Sequence, residues 1–466
     1  MSSARVRSPR LHAVTREIDA IEDPLEYADA TDPTVWSRRG DMLVGAAGVA
    51  LSFRAERATG EALSDWWRQV TAAAVIDDAV GLPGTGLVAF GALPFDGDSA
   101  AEAVFTVPRV ILGRRGGRTW ITHISVADEP EPEPQPDRNP QRQPEPQPDR
   151  KPEPDRNPQP DRNPGPQPDP EPDAGRFPSP APYGPHWSAT LGPGALTPDG
   201  YQVAVRAGLD AIRDGEVAKV VLARDLAGSV PAGSDLRRLV RALATAYPDT
   251  WTFAVDGLIG ASPETLVTVS GGTVTARVLA GTIARGADAD ADTAASVTLA
   301  TSAKDLDEHQ FAVQSVLTAL RPHTSALVSE EQPFMLKLPN VWHLATDVEG
   351  ALDGAASALD LVSALHPTAA VAGTPTPAAM EVIRRLEPFD RGRYAGPVGW
   401  IDANGDGEWA IALRCAQFDV AASGEDAGSP VPLTAYAGAG IVAGSDPEAE
   451  MLETRVKFRP IVDALA

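Results

Sequence analysis

The sequence predicts an α+β fold in which antiparallel β-sheets are covered by helices, with a disordered Pro-rich insert. Short apolar stretches joined by Gly-rich turns recur through the 466 residues and read as strands and hairpins. Helical patterns fall between them without the regular strand–helix–strand alternation of a parallel crossover fold. One stretch, about 129–173, has no aliphatic or aromatic side chain at all.

Gly86–Gly91 and Val104–Leu112 read as strands, and Arg114–Gly117 as a hairpin turn leading into Thr119–Thr122. This first segment is short for an independent domain and is expected to share a core with the chain beyond the insert. The insert consists, apart from Lys151 and Gly165, of Pro, Glu, Asp, Arg, Gln and Asn with an imperfect hexad around Pro154–Pro164. Nothing in it can be buried to offset ordering entropy, so disorder with polyproline character is expected. Its PxxP repeats suit a proline-binding partner, or the stretch is simply a loop that the fold tolerates.

After the insert, Thr197 caps and Pro198 opens a helix ending before Gly215, with Val203, Leu209 and Ile212 on one side. Lys219–Leu226 is a strand. Ser234 is expected to cap a second helix with Leu236, Leu239, Val240 and Leu243 inward. Gly271-Gly272 signals a hairpin between Leu266–Val269 and Thr273–Ala276. One long helical stretch is read from Ala294 to Leu320, then a strand at Val341–Thr346 and helices at Ala356–Leu365 and Pro377–Leu386. A hairpin joins Val398–Ile401 to Glu408–Ala416 through Asn404–Gly407. Thr434–Ala437 and a helix from Pro447, capped by Asp446, complete the reading. The divisions expected are 1–128, an N-terminal part of the fold; 129–180, the acidic insert; and 181–466, a catalytic domain.

The bulk numbers exclude some functions. The formal net charge is −24, which disfavours nucleic acid, because that binding depends on Lys and Arg neutralising phosphates. No apolar run reaches the length of a membrane span, and the basic N-terminus has no apolar stretch behind it, so neither a membrane nor a secretory signal is expected. A single cysteine, Cys415, allows no intrachain disulfide and suits a cytoplasmic protein.

The residues able to carry chemistry are few. Asp305 and Glu308 lie three apart on a predicted helix, and Glu450 and Glu453 repeat the spacing on the last one. Carboxylates on two helices can hold Mg²⁺, which prefers oxygen ligands; acidic first turns complementing helix dipoles and a solvated face explain the same residues. Lys219 opens an apolar strand, where a buried amine can serve as a base or an edge lysine can block pairing. Glu264 follows Ser262-Pro263, as an acid or as the N2 residue of a short helix. Arg414 sits within an apolar strand and needs a carboxylate partner. Gly438-Ala439-Gly440 reads as a small-residue turn or a backbone site for an anion. His343 reads as a core histidine; Leu279–Thr282 offers a close backbone approach, and Tyr394 a phenol.

Together these segments, from Pro198 to Lys457, resemble the chorismate-utilising enzymes, and within them the isochorismate synthases. The likeness rests on Lys219–Arg224, Gly260–Glu264, Leu279–Gly286, Ser302–His309, Trp342–Thr346, Leu365–Thr368, Arg391–Trp400, Arg414, Ala437–Val442, Glu453-Thr454 and Lys457. The chain departs from the commoner pattern at Val278, Ala369 and Ala372. The resemblance implies the chorismate-utilising fold with a sandwich-like core, and a Mg²⁺-dependent isomerase acting on chorismate. Lys219, neutral, would activate water for attack at C2, and Glu264, protonated, would protonate the departing C4 hydroxyl. Glu308 and Glu453 would hold the metal, with Asp305 and Glu450 ordering its waters. Arg414, Tyr394, Gly438, Gly440, Gly281, Thr282, His343 and Lys457 would bind the substrate. Ala280 stands where aminodeoxychorismate synthases carry a nucleophilic lysine. A lysine at 219 points to water rather than the ammonia of anthranilate synthases, so no obligate glutaminase partner is expected. Salicylate synthases, which add pyruvate elimination, are the nearest alternative, with anthranilate synthase component I behind them. The product would feed menaquinone, a siderophore or another aryl compound.

Overall fold

The computed structural model describes residues 9–127, 177–337, 341–354, 356–420 and 428–466, apart from the side chains of Thr282, Ala284, Lys304, Glu308 and Val341. The insert expected to be disordered lies outside the described residues. The chain begins with β1 (Leu11–Ile18), β2 (Thr34–Arg38), β3 (Asp41–Ala55), α1 (Gly60–Ala73), β4 (Val75–Asp78), β5 (Val88–Ala92), β6 (Ala103–Arg115) and β7 (Arg118–Val126). It resumes with β8 (Thr190–Pro193), α2 (Pro198–Arg213), β9 (Lys219–Val230), α3 (Arg237–Ala246), β10 (Trp251–Val255), β11 (Leu258–Ser262), β12 (Thr265–Ser270) and β13 (Thr273–Ala284). Next are α4 (Ala289–Ala300), α5 (Ala303–Leu320), β14 (Thr324–Ser329), β15 (Phe334–Lys337), β16 (Val341–Leu352), α6 (Ala358–Leu365), β17 (Gly373–Thr374) and α7 (Thr376–Leu386). Last come β18 (Pro397–Asp402), β19 (Gly407–Ile411), β20 (Cys415–Phe418), β21 (Val431–Ile441) and α8 (Pro447–Leu465).

Two antiparallel arms diverge from the β3–β6 ladder. One runs β3–β2–β10–β11–β20–β21–β9, with β17 and β8 covering separate parts of the far edge of β9. The other runs β6–β5–β18–β19–β12–β13–β16, with β14 and β15 beyond β16. The first segment therefore shares its sheets with the C-terminal part, as its small size led one to expect. Only β1 and β4 pair in parallel among the described strands. The arms face each other across a core rich in tryptophan. Trp36 on β2 and Trp400 on β18 both donate their indole N–H to one Oε2 of Glu408 on β19, at 2.8 and 3.1 Å. Buried indoles need such a partner, and this one joins the two layers.

Several local expectations are corrected. Ser234 does not cap α3: its hydroxyl donates to the Pro231 carbonyl, and the helix starts later without a side-chain cap. The stretch 294–320 is two helices, broken at Thr301 and restarted by Ser302, whose hydroxyl accepts the Asp305 N–H. Val203 of α2 faces solvent at 60% exposure. The packed face is Tyr201, Ala204, Val205, Gly208 and Ala211, small residues that bring α2 close enough for a Cβ on Gly208 to lie 3.3 Å from Leu222 and Val220.

Candidate active site

The chain changes arms twice at neighbouring points. Between β11 and β12 it crosses through Pro263 and Glu264; between β19 and β20 it crosses back through Ala412, Leu413 and Arg414. The two crossings are laced together. The Ala261 N–H donates to the Arg414 carbonyl at 3.1 Å, the Ile411 N–H to the Glu264 carbonyl at 3.1 Å, and the Ser262 hydroxyl to the Ile411 carbonyl at 2.6 Å. Ser262-Pro263-Glu264 is thus a crossover between sheets, not the start of a short helix. Nor does Arg414 lie inside a strand, as its apolar neighbours suggested: the strand breaks there, with Arg414 at φ +50°. That conformation is uncommon for a residue bearing a Cβ, and here it turns the chain from one sheet into the other.

Gly438 and Gly440 are not a turn either. They belong to β21, opposite Ala223 and Val221 of β9. Their service is space: a Cβ at Gly440 would stand 3.1 Å from Cε of Lys219, and one at Gly438 only 2.8 Å from the Leu222 carbonyl. Lys219, half-buried at the start of β9, therefore lies flat over β21. Lys457, one helical turn beyond Glu453 on α8, donates to the Gly438 carbonyl at 2.8 Å and pairs with Glu453 at 2.7 Å.

These groups act on one another. Burial pushes the Glu264 carboxyl above its ordinary range, and the positive charges of Lys219, Lys457 and Arg414, in that order, pull it back. Burial likewise lowers the Arg414 guanidinium, countered by Tyr394, Tyr247, Glu453 and Glu264. His343 is brought down to about 4 by burial against a hydrogen bond to the Gly281 carbonyl, with Lys457 and Arg414 adding to the fall and Glu453 opposing it. Burial raises the Tyr394 phenol, whose ring stacks on Tyr436 at 5.1 Å. Lys219, Glu264, His343, Arg414, Glu453 and Lys457 thus share one electrostatic neighbourhood, although the sequence separates its ends by more than half the chain.

Gly281 lies beside His343. Leu279 and Ala280 of β13 face Ala345 and Leu344 of β16, but Thr282 faces His343, so Gly281 is an extra residue in the ladder, at φ +78°. A Cβ there would meet Leu344 at 3.0 Å and Asp305 at 3.4 Å. A bulge at an active site re-aims the backbone, and only glycine fits this one.

The carboxylates expected to hold a metal come from two helix starts. Asp305 lies in the first turn of α5, against Gly281; Glu450 lies in the first turn of α8 and Glu453 one turn further on. Burial pushes Glu450 up; the Ser445 hydroxyl lowers it, and the charge of Glu453 raises it again. Asp305, Glu450 and Glu453 offer the oxygen donors that a hard divalent cation such as Mg²⁺ takes. Among the described residues no group of three His, Cys, Asp or Glu forms a ready cage. The Glu308 and Thr282 side chains lie outside the described ones.

A family model described as chorismate binding enzyme matches residues 185–466. The chain belongs to the chorismate-binding enzymes. Isochorismate synthase DhbC of Bacillus subtilis is 41% identical over 280 residues, 58% of this chain and 68% of that protein. Isochorismate synthase EntC of Escherichia coli K12 is 38% identical over 253 residues, 53% of this chain and 62% of the other. The structure of DhbC from Bacillus anthracis aligns with a TM-score of 0.66 at 29% identity, covering 95% of this chain and 98% of that one. The menaquinone-specific isochorismate synthase MenF of E. coli aligns with a TM-score of 0.68 at 22% identity, covering 98% and 95%, which shows the fold.

Two further features of this chorismate-binding enzyme escaped the sequence reading. His309, one residue past Glu308, is buried and bonded at both ring nitrogens. Glu387 and Arg391 form a buried pair against β9. Both carried a signal. His309 sits in the apolar stripe of α5 with Leu306, Val313 and Leu320, and a polar residue in such a stripe needs partners.

Proposed function

We infer that this chorismate-binding enzyme is an isochorismate synthase in which Lys219 acts as general base and Glu264 as general acid. What supports the assignment is their shared neighbourhood: Lys219 stands first among the side chains that act electrostatically on Glu264, and burial drives the Glu264 carboxyl toward its protonated form. Lys219 takes a proton from water as the water oxygen bonds to C2 of chorismate. The ring double bond shifts, the C4–O bond breaks, and Glu264 gives its proton to the departing hydroxyl, which leaves as water. Atoms balance: one water enters and one leaves.

Arg414, Lys457 and Tyr394 are suited to hold substrate carboxylate. Such a cation cluster is needed, because a dianion approaches a protein of formal net charge −24. His343 and the Gly281–Thr282 backbone line the floor, and Gly438 and Gly440 keep the wall by Lys219 open. Mg²⁺ would be held by Glu308 and Glu453, with Asp305 and Glu450 beside them; when bound it neutralises and orients a substrate carboxylate. Water as nucleophile removes the need for a glutaminase partner. No helix among the described residues is long and apolar enough to cross a membrane, and a lone buried Cys415 is at home in the cytoplasm. The E. coli structural neighbour is named as menaquinone-specific, and the product of this chain is read as a precursor of menaquinone, a siderophore or another aryl compound.

Chromatography after incubation with chorismate and Mg²⁺ tests the reading. Isochorismate without pyruvate is expected; stoichiometric salicylate and pyruvate would replace this reading with salicylate synthase, and no turnover would end it.

A further inference from the structure

The bulge at Ala280–Gly281–Thr282 leaves two successive carbonyls out of the regular ladder, and an imidazole takes each. His343, on β16 and within reach of the charges of Lys457, Arg414 and Glu453, bonds to the Gly281 carbonyl. The Ala280 carbonyl accepts the Nδ1–H of His309 at 3.0 Å. The other ring nitrogen of His309, Nε2, accepts the Thr346 hydroxyl at 2.7 Å. His309 is 2% exposed and belongs to α5, the helix whose first turns carry Asp305 and Glu308. Thr346 belongs to β16. One buried ring thus ties the helix bearing carboxylates to both strands of the bulge.

We propose that His309 is a positioning residue: through its Nδ1–H bond to Ala280 it sets the bulge, and with it Gly281, relative to the carboxylates of α5, so that the substrate floor and the metal ligands are assembled as one unit. The proposal rests on the isochorismate synthase reading above. It is argued from what else could place these parts. Gly281 is at positive φ and has no side chain, so nothing of its own anchors it to the helix. The Cβ of Asp305 lies 3.4 Å from where a Cβ on Gly281 would be, a proximity without direction. Of the hydrogen bonds described between α5 and the bulge, the His309 contact is the one that fixes both distance and direction. The Thr346 contact orients the ring from β16 and does not touch the bulge itself.

The test separates the two ring nitrogens in the full-length protein. An asparagine amide can place its N–H₂ where Nδ1 sits, and a glutamine amide where Nε2 sits. His309→Ala, His309→Asn, His309→Gln and Thr346→Val are compared by melting temperature without metal, by the rise in melting temperature on adding Mg²⁺ alone, and by kcat and KM for chorismate. Supporting groups around a metal site typically matter by about 10–100-fold, so His309→Ala and His309→Gln are expected to lose roughly that factor in kcat/KM and in the Mg²⁺ concentration giving half the thermal rise. His309→Asn and Thr346→Val are expected to stay within about threefold of wild type on both readouts. Equal losses in His309→Asn and His309→Gln that track their melting temperatures would overturn the proposal in favour of simple packing. So would an unchanged His309→Ala. If His309→Ala does not fold, the split between Asn and Gln at matched stability decides. Failure of the functional reading is separately visible, as wild-type protein making no isochorismate.

Discussion

Glu264 is set by opposing influences. Enclosure disfavours its carboxylate, three cations favour it, and enclosure prevails. A group shifted this way keeps its proton to higher pH than an ordinary glutamate and can give it up to a leaving oxygen. Glu264→Gln should lower kcat by about 10²–10⁴, the usual contribution of a positioned acid, while the KM for chorismate changes little. The pH profile carries the sign. Glu264 works protonated, so kcat should be retained below its raised pKa and fall as pH rises through it. Isochorismate formation by Lys219→Ala should be undetectable, with chorismate still bound in a calorimetric titration; undiminished turnover would remove Lys219 from the base role. His343, held near 4, stays neutral across this range and should add no limb of its own.

At the scale of elements, the precision of Lys219 depends on how β9 is held at its far edge. β17 covers Lys219 and Val220, and β8 covers Leu226 to Ser229. The gap between them is filled by side chains. Glu387 at the end of α7 accepts the Ala223 N–H at 2.7 Å, and Arg391 donates to the Val221 carbonyl at 2.7 Å and to Glu387 at 2.6 and 2.8 Å. The pair stands in for a missing strand. Arg391→Ala would leave Glu387 buried and unpaired, which should cost about 3–5 kcal/mol in urea unfolding and depress kcat by releasing β9. Here sequence patterns spoke unevenly. Thr197 and Asp446 cap their helices as read, because a side-chain oxygen just before a proline at N1 is a local signal. Ser234 misled because Asp235 beside it is engaged with the Arg237 guanidinium, so the helix waits for Arg237. Arg414 was read as strand because its neighbours are apolar; a turn at positive φ leaves no compositional mark.

Across the whole molecule, the site exists because the chain passes between two sheet arms at Glu264 and again at Arg414, and lays Lys219, on β9, and α8 against those passages. Residue types and local spacing named the chemistry, since each group sits in a short recognisable segment. Their convergence is tertiary, and it was legible only through resemblance. The joining of the first segment to the later sheets by β2–β10 and β5–β18 accords with its small size. The Trp36–Glu408–Trp400 bridge has no counterpart in any local pattern. Residues 129–173 carry no aliphatic or aromatic side chain. Replacing them with a Gly/Ser linker of about 20 residues, flexible enough to span some 25 Å, should leave kcat/KM within about twofold of the full chain. A large loss would give the insert a part in the chemistry.

The central claim is that water, activated by Lys219, becomes the C2 hydroxyl of the product. Turnover of chorismate in ¹⁸O-labelled water, with the product read by mass spectrometry, tests it most directly. One ¹⁸O atom at C2 of isochorismate is the predicted result; unlabelled isochorismate, formed by moving the original hydroxyl within the ring, would contradict it.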